Sequence, residues 1–248
     1  MRDGKAAGRS PRAAKTYSHT NLYTNAHTAK PAVELNALSR NYGRDVVLRD
    51  VRLVVSPGKV VVLSGSNGSG KTTLLKVLAT RLRPSRGSGS VFGFDLVKDA
   101  AEVRRQVAYM SVLGGHYGAL TAVENLRLAA SLYGHDRREV TRAELLGKLD
   151  AVGLLHVQDK RVRAFSSGMK KRLGIARLLL SDADLWLLDE PYAALDTQGR
   201  GLVDSLLETA KLQDRTVLLA SHELGHVSGF ADSVLHLQGG TLSRAAAG

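Results

Sequence analysis

The 248-residue sequence contains no cysteine and no long apolar run. The absence of cysteine excludes a disulfide scaffold, a thiolate metal site and a cysteine nucleophile, and it is typical of a reducing compartment. No stretch reaches the about 18 apolar residues of a membrane-spanning helix, and the amino terminus lacks the apolar segment of a signal peptide. We therefore expect that the chain does not cross a membrane by itself. Its hydrophobic content of 44% is ordinary for a globular protein with a sound core.

The formal net charge is +12, which raises the question of a nucleic-acid partner. Residues 1–31 contribute six basic residues and one acidic residue, so +5 of the charge lies in this segment. The remaining basic residues are scattered along the chain. This distribution favours a solvated or phosphate-facing surface, and no direct nucleic-acid partner is expected. Residues 1–31 also lack a hydrophobic period, so we predict a disordered basic tail there.

A glycine-rich stretch fits the phosphate-loop pattern G-x-x-x-x-G-K-[ST]. It follows the apolar run 60–63, which predicts a buried strand, and it precedes a helix predicted over residues 72–82. In this context the backbone N–H groups and the helix amino terminus point at a phosphate, Lys71 reaches the β- and γ-phosphates, and the Thr72 hydroxyl binds Mg²⁺. The predicted nucleotide-binding residues of the loop are Gly65, Ser66, Asn67, Gly68, Ser69, Gly70, Lys71, Thr72 and Thr73. The alternative is a chance glycine-rich turn.

Two carboxylates, Asp189 and Glu190, follow the apolar run 185–188. Ligands of open α/β sheets bind at the carboxyl ends of strands, which predicts that both acids lie at the nucleotide site. Asp189 is predicted to hold Mg²⁺ together with Thr72, and Glu190 to polarise the attacking water. Because successive side chains alternate along a strand, Glu190 is expected to point in the opposite direction from Asp189. His222 ends another apolar strand and is predicted to reach the γ-phosphate. Solvated surface acids and a structural histidine are the alternatives.

The order of the predicted elements indicates an α/β fold with a phosphate-loop NTPase core and a mainly parallel sheet. Early strands between residues 33 and 55 predict an antiparallel β subdomain. Successive helical patterns, including the capping boxes that begin at Thr121 and Thr141, predict an all-helical insert. A basic helix is predicted over residues 170–180. We place the domain at residues 32–243, its helical subdomain at about 97–180, and a short tail at 244–248.

Five motifs, in this order, resemble those of the ATP-binding domains of ABC transporters, and the resemblance covers residues 33–242, nearly everything but the tail. The matching segments are the phosphate loop 65–73, the signature-like segment Phe165–Met169, the strand Leu185–Glu190, the D-loop Ala194–Asp196 and the switch histidine His222. Tyr42, which by itself would be read as a packed turn residue, falls at the position of the aromatic residue that stacks on the base in this family.

The resemblance implies a head-to-tail dimer, formed with a second copy or a paralogous ATPase, that holds two ATP molecules with Mg²⁺. Ser166, Ser167 and Gly168 of one subunit would cap the γ-phosphate bound by the other, and Asp196 would lie close to that nucleotide. ATP binding would close the dimer, and the helical insert would pass the closure to separate transmembrane permease subunits. The protein is therefore expected at the cytoplasmic face of the cell membrane.

Tyr109 and the segments Tyr117–Leu126 and Leu132–Gly134 are similar to those of exporter ATPases of the haem-exporter type used in cytochrome c maturation. They also resemble the related drug and polysaccharide exporters. The function expected from this resemblance is ATP hydrolysis that powers an ABC exporter. Two alternatives stay open at this point: a soluble ABC ATPase that acts on ribosomes or nucleic acid, and a regulatory nucleotide-binding subunit with little turnover.

The sequence departs from the family pattern at three positions. Ser167 and Met169 replace a glycine and a glutamine of the usual LSGGQ signature. Leu113 stands where the family has a glutamine that senses Mg²⁺ and the attacking water. Leucine can bind neither, so either Gln106 substitutes for the missing glutamine or the site works without this contact. Because Gln106 precedes the strand, we favour the second alternative and expect that hydrolysis, or its coupling to transport, is slowed.

Replacing Leu113 with glutamine is expected to raise the ATPase rate, since the amide restores a polar contact to metal and water. The rate is measured at saturating ATP and Mg²⁺, with Leu113→Met as the control because it changes shape without adding an amide. An unchanged or lower rate in Leu113→Gln would contradict this account of the missing glutamine.

Overall fold

The computed structural model describes residues 30–111, 115–134, 140–227 and 229–244. Its strands are β1 (Val33–Tyr42), β2 (Asp45–Val55), β3 (Val60–Ser64), β4 (Arg86–Val91), β5 (Phe94–Asp95), β6 (Val107–Met110), β7 (Leu185–Asp189), β8 (Thr216–Ala220), β9 (Ser233–Gln238) and β10 (Thr241–Arg244). Its α-helices are α1 (Lys71–Leu78), α2 (Ala100–Gln106), α3 (Ala122–Leu132), α4 (Arg142–Ala151), α5 (Ser167–Leu178), α6 (Thr197–Leu212) and α7 (Leu224–Val227). Short 3-10 helices cover Leu155–Val157 and Val162–Ala164.

A six-stranded sheet of order β10-β9-β3-β8-β7-β6 forms the centre of the fold. The five strands from β9 to β6 are mutually parallel, and β10 closes the edge as an antiparallel hairpin with β9. Every residue of β3, β7 and β8 is buried. Strands that are covered on both faces need apolar residues at every position, which explains the uninterrupted apolar runs in the sequence.

Alternate residues of these strands enter two different hydrophobic cores, because successive side chains point to opposite faces of a sheet. The core that also holds residues of α5 and α6 receives Val60, Val62, Trp186, Leu188, Val217 and Leu219. The core shared with α1 and the antiparallel strands receives Val61, Leu63, Leu185, Leu187, Leu218 and Ala220. Full burial of each such side chain contributes about 1.5–3 kcal/mol, so the central sheet is stabilised from both sides.

A second sheet, of order β2-β1-β4-β5, is entirely antiparallel and is the predicted β subdomain. Val33 of β1 pairs with Val55 on one side and with Val91 on the other. The segments around Val46 and Val51, predicted as separate strands, form one strand, β2, and irregular pairing with β1 accommodates the break in their pattern. The α/β fold class is confirmed.

The helical layer is built from α3, α4, the two 3-10 helices and α5. Both predicted capping boxes are present, with Thr121 and Glu124 at the start of α3 and Thr141 and Glu144 at the start of α4. Within the range 97–180, β6 pairs with β7 in the central sheet, so the helical packing itself begins with α3.

Two helix boundaries differ from those expected. Helix α1 ends at Leu78 rather than near residue 82, because Thr80 adopts a left-handed conformation with φ 54°. Helix α5 begins at Ser167, three residues earlier than expected, because the Ser166 side chain accepts a hydrogen bond from the Met169 N–H at 3.2 Å.

Parallel pairing brings the carboxyl ends of three strands to one edge. Leu63 of β3 and Asp189 of β7 both pair with Ala220 of β8, so the residues that follow these strands are neighbours. The phosphate loop, Glu190 and His222 are therefore placed together by the register alone.

Among the described residues, no helix is long and apolar enough to cross a membrane. The predicted basic tail lies outside the described part of the chain except for Lys30 and Pro31, which have no regular structure. Four residues of the predicted carboxyl-terminal tail, 245–248, also lie outside it.

His116 is a partly buried histidine that joins the loop before α3 to α5. Its Nε2 donates a hydrogen bond to the Lys170 carbonyl at 2.7 Å. Burial, followed by the nearby charge of Arg177, lowers the pKa of His116 to about 4. The folded protein therefore holds this imidazole in its neutral form at neutral pH.

Acidification is expected to destabilise the fold through His116. In the unfolded chain His116 is protonated below its ordinary pKa of about 6.5, whereas in the folded protein it is protonated only below about pH 4. Between these two values the unfolded state binds more protons, so the free energy of unfolding falls as the pH is lowered. At about pH 5 the loss from this group is about 2 kcal/mol. Urea unfolding of the wild type and of His116→Gln, which keeps a donor but does not titrate, measures the difference. An equal loss of stability in both proteins would show that His116 is not responsible.

Candidate functional site

The phosphate loop between β3 and α1 has a backbone conformation that depends on glycine. Gly68 and Gly70 have φ values of 80° and 108°, which side chains other than glycine rarely adopt. A Cβ atom on Gly70 would also lie 2.9 Å from the Val47 carbonyl oxygen. The loop lines an open cavity of about 340 Å³ together with Val47 and Glu190. Backbone N–H groups around such a loop, followed by a helix amino terminus, suit a phosphate group.

Lys71 lies at the base of this cavity with 7% of its side chain exposed. Its Nζ donates hydrogen bonds to the carbonyls of Gly65 at 2.7 Å and Ser66 at 3.2 Å. The same nitrogen lies 3.7 Å from Glu190 Oε1. The ammonium group is thus held where phosphate oxygens bound by the loop would meet it.

Asp189 and Thr72 offer the oxygen donors that Mg²⁺ prefers. Thr72 Oγ1 donates a hydrogen bond to Asp189 Oδ1 at 2.9 Å, and only 1% of Asp189 is exposed. Burial raises the pKa of Asp189, while the hydrogen bonds from Thr72 and Tyr109 oppose that shift. No group of three or more acidic or histidine side chains that could hold a metal occurs among the described residues. One carboxylate and one hydroxyl fit a Mg²⁺ ion that is held jointly with nucleotide phosphates.

Glu190 directs its carboxylate toward the same cavity. Its backbone is left-handed, with φ 48°, so the strand alternation that predicted opposite directions for Asp189 and Glu190 ends at Asp189. His222 Nδ1 donates a hydrogen bond to Glu190 Oε2 at 2.9 Å. The Glu190 side chain is 16% exposed and that of His222 is 50% exposed. The arrangement can orient a carboxylate that faces a bound phosphate.

Two contacts hold the strained Glu190 backbone. Its N–H donates to the Ala220 carbonyl at 2.9 Å, and the Lys171 ammonium donates to its carbonyl at 2.7 Å. Lys171 is 3% exposed, and burial lowers its pKa against the opposing charges of Asp189 and Glu190. No local motif distinguishes Lys171 from the other basic residues of α5, such as Lys170 and Arg172.

Tyr109 is a second residue that the sequence analysis did not place at the site. Its hydroxyl donates a hydrogen bond to Asp189 Oδ2 at 3.0 Å. Burial, and then the negative charge of Asp189, raises the pKa of Tyr109, so the hydroxyl stays protonated. This contact follows from the pairing of Tyr109 with Leu187 across β6 and β7, which no local motif reveals.

The signature-like residues do not line the phosphate-loop cavity. Ser166 caps α5, and a Cβ on Gly168 would lie 3.3 Å from the Ala194 carbonyl, so this segment lies against the D-loop. Asp196 caps α6 through the Gly199 N–H at 2.8 Å and forms an ion pair with Arg172 at 2.8 Å. The signature-like segment and the D-loop are thus joined to each other.

Tyr42, the predicted base-stacking residue, lies at the end of β1 and is 44% exposed. The Arg40 guanidinium lies over its ring, 4.8 Å from the centroid. Tyr42 does not line the phosphate-loop cavity, whereas Val47 of the adjacent strand β2 does. Leu113 lies outside the described residues, so its predicted effect on the site stays a prediction.

A larger cavity of about 700 Å³ lies between α2, the edge strand β6 and the carboxyl-terminal ends of α3 and α5. We call it the arginine groove, because four arginines and two tyrosines line it: Arg81, Arg104, Arg105, Arg177, Tyr109 and Tyr133. Four guanidinium groups line the groove, and they outnumber its acidic groups, which are Asp182 in the lining and Glu102, the ion-pair partner of Arg105. Tyr109 belongs both to the groove and, through its hydroxyl, to the contacts of Asp189.

Residues 48–193 match the family model described as ABC transporter. The ABC transporter ATP-binding protein NatA of Bacillus subtilis (strain 168) is 38% identical over 197 residues, which cover 78% of each chain. The cytochrome c biogenesis ATP-binding export protein CcmA of Methylococcus capsulatus is 36% identical over 187 residues, which cover 75% of this chain and 89% of that protein.

The fold is also similar to a solved structure. The ATP-binding cassette MJ0796, described as a dimeric post-hydrolysis state bound to ADP and Pi, superimposes with a TM-score of 0.77. The match covers 86% of this chain and 97% of that one at 24% sequence identity, which supports the fold.

Proposed function

The chain belongs to the ABC transporter family, whose ATP-binding domains are ATPases, and on that premise we propose that it hydrolyses ATP to power an ABC exporter. The observation that carries the proposal is the position of Glu190, between Lys71 at 3.7 Å and His222 at 2.9 Å, at the mouth of the phosphate-loop cavity. A protein that only bound nucleotide would not need a carboxylate held there by a strained backbone.

In the proposed mechanism the loop 65–73 cradles the phosphates, with Lys71 against the β- and γ-phosphates. Thr72 and Asp189 hold Mg²⁺, which when bound neutralises charge that develops on the phosphate oxygens. Glu190 accepts a proton from the attacking water. His222 orients the Glu190 carboxylate through the bond from Nδ1, and in the mechanism it would also contact the γ-phosphate.

The proposed active unit is a head-to-tail dimer with a second copy or a paralogous ATPase. Its support is that Ser166, Ser167 and Gly168 lie against the D-loop, away from the cavity of their own subunit. In the dimer these residues would cap the γ-phosphate held by the partner, with Asp196 beside the shared nucleotide. Tyr42 would stack on the base from the edge of the same cavity. The similar MJ0796 cassette is itself dimeric.

The proposed partners are separate transmembrane permease subunits, which would hold the protein at the cytoplasmic face of the membrane. The names of the relatives support a transporter subunit, and that of CcmA includes export. The arginine groove, between α2, β6 and the ends of α3 and α5, supports docking of an acidic permease segment. Similarity to CcmA favours an exporter of the haem-exporter type. NatA is similar to this chain at nearly the same identity, so we propose an exporter without naming its substrate.

Glu190→Gln is expected to lower the ATPase rate about a hundredfold or more, because the amide cannot accept the proton from water. ATP binding is expected to persist, since Lys71 and the loop are unchanged. The matched control is Glu208→Gln, which makes the same substitution at an exposed position of α6 outside the cavity. Rates come from phosphate release, and binding from a fluorescent ATP analogue.

A wild-type protein that binds ATP without hydrolysing it would contradict the enzyme proposal and favour a regulatory subunit. Copurification with membrane subunits encoded beside this gene tests the partner directly. Copurification with ribosomes or nucleic acid in their place would contradict the exporter proposal.

A further inference from the structure

Tyr109 joins two parts of the molecule that the proposed mechanism treats separately. Its hydroxyl lies 3.0 Å from Asp189 Oδ2, at the proposed metal site. Its ring forms part of the arginine groove, where the guanidinium carbon of Arg81 lies 4.8 Å from the ring centroid. The side chain therefore fills the space between the groove and the carboxylate.

Asp189 receives one side-chain hydrogen bond on each carboxylate oxygen. Thr72 donates to Oδ1 at 2.9 Å and Tyr109 donates to Oδ2 at 3.0 Å. Among the described residues no other side chain is hydrogen-bonded to this carboxylate, which is 1% exposed. Two donors on opposite oxygens fix the rotation of the group about its Cβ–Cγ bond.

The two donors have different roles in the proposed reaction. The Thr72 hydroxyl is itself a proposed metal ligand, which would bind Mg²⁺ through an oxygen lone pair while its proton is donated to Asp189 Oδ1. Tyr109 belongs to β6, which pairs with β7 up to the residue before Asp189. It can keep its contact with Oδ2 throughout and leave Oδ1 directed toward Thr72.

We propose that Tyr109 is a positioning residue that holds the Asp189 carboxylate in the orientation that receives Mg²⁺. The inference rests on the proposed function, because it concerns the metal that accompanies ATP. Partners that orient a metal ligand in this way commonly change metal affinity by about 10- to 100-fold when they are removed.

The test uses Tyr109→Phe, which removes the hydroxyl and keeps the ring in the groove. The matched control is Tyr133→Phe, which removes a hydroxyl from another ring of the same groove that makes no described hydrogen bond to Asp189. Both are made in the Glu190→Gln background, so that no turnover disturbs binding. Fluorescence of a labelled ATP analogue is recorded against Mg²⁺ concentration, and thermal melts check that each variant folds.

The expected result is that Tyr109→Phe raises the Mg²⁺ concentration for half-maximal response about tenfold, with Tyr133→Phe unchanged. Nucleotide affinity without Mg²⁺ should be the same in all three proteins. With Glu190 restored, the Tyr109→Phe ATPase rate should recover as Mg²⁺ is increased, which a general packing defect would not allow.

Equal Mg²⁺ midpoints in Tyr109→Phe and its parent would overturn the inference. Equal shifts in Tyr109→Phe and Tyr133→Phe would also overturn it, because they would assign the effect to groove packing. A parent protein whose nucleotide binding is strong but independent of Mg²⁺ would overturn the proposed metal site itself, and the two failures are therefore distinguishable.

Discussion

A carboxylate buried at the end of a parallel strand is the group on which the rest of the site depends. Leaving a buried polar group without a hydrogen bond costs about 1–3 kcal/mol, and more when it is charged. Asp189 avoids this cost through Thr72 on one side and Tyr109 on the other. Those contacts require β7 to lie between β8 and β6 and α1 to begin beside its end. The hydrogen bonds of the site therefore depend on the order of the strands in the sheet.

Much of this arrangement could be predicted from the sequence, because its signals are local. The phosphate loop, the apolar strands and the capping boxes of α3 and α4 each depend on residues within a few positions of one another. The antiparallel subdomain was also predicted from local alternation. The strand-end rule then placed Asp189 and His222 near the loop without knowledge of the pairing.

The features that were missed depend on contacts between distant segments. Tyr109 contacts Asp189 because β6 and β7 are neighbouring strands, although the two residues are 80 positions apart in the sequence. Lys171 supports Glu190 from a helix that the sequence marks only as basic. Helix α1 ends early because Thr80 adopts a left-handed conformation, and no glycine or proline at that position predicts a turn there. Local patterns specify elements, whereas these contacts arise only after the elements pack.

The separation of the signature-like segment from the phosphate-loop cavity has a genetic consequence. In a dimer of the proposed kind each nucleotide is bound by the loop of one chain and the signature of the other. A chain damaged at Lys71 and a chain damaged at Ser166 would then combine into a dimer with one intact composite site and one doubly damaged site. Two inactive alleles could therefore complement each other, while two alleles damaged in the same motif could not.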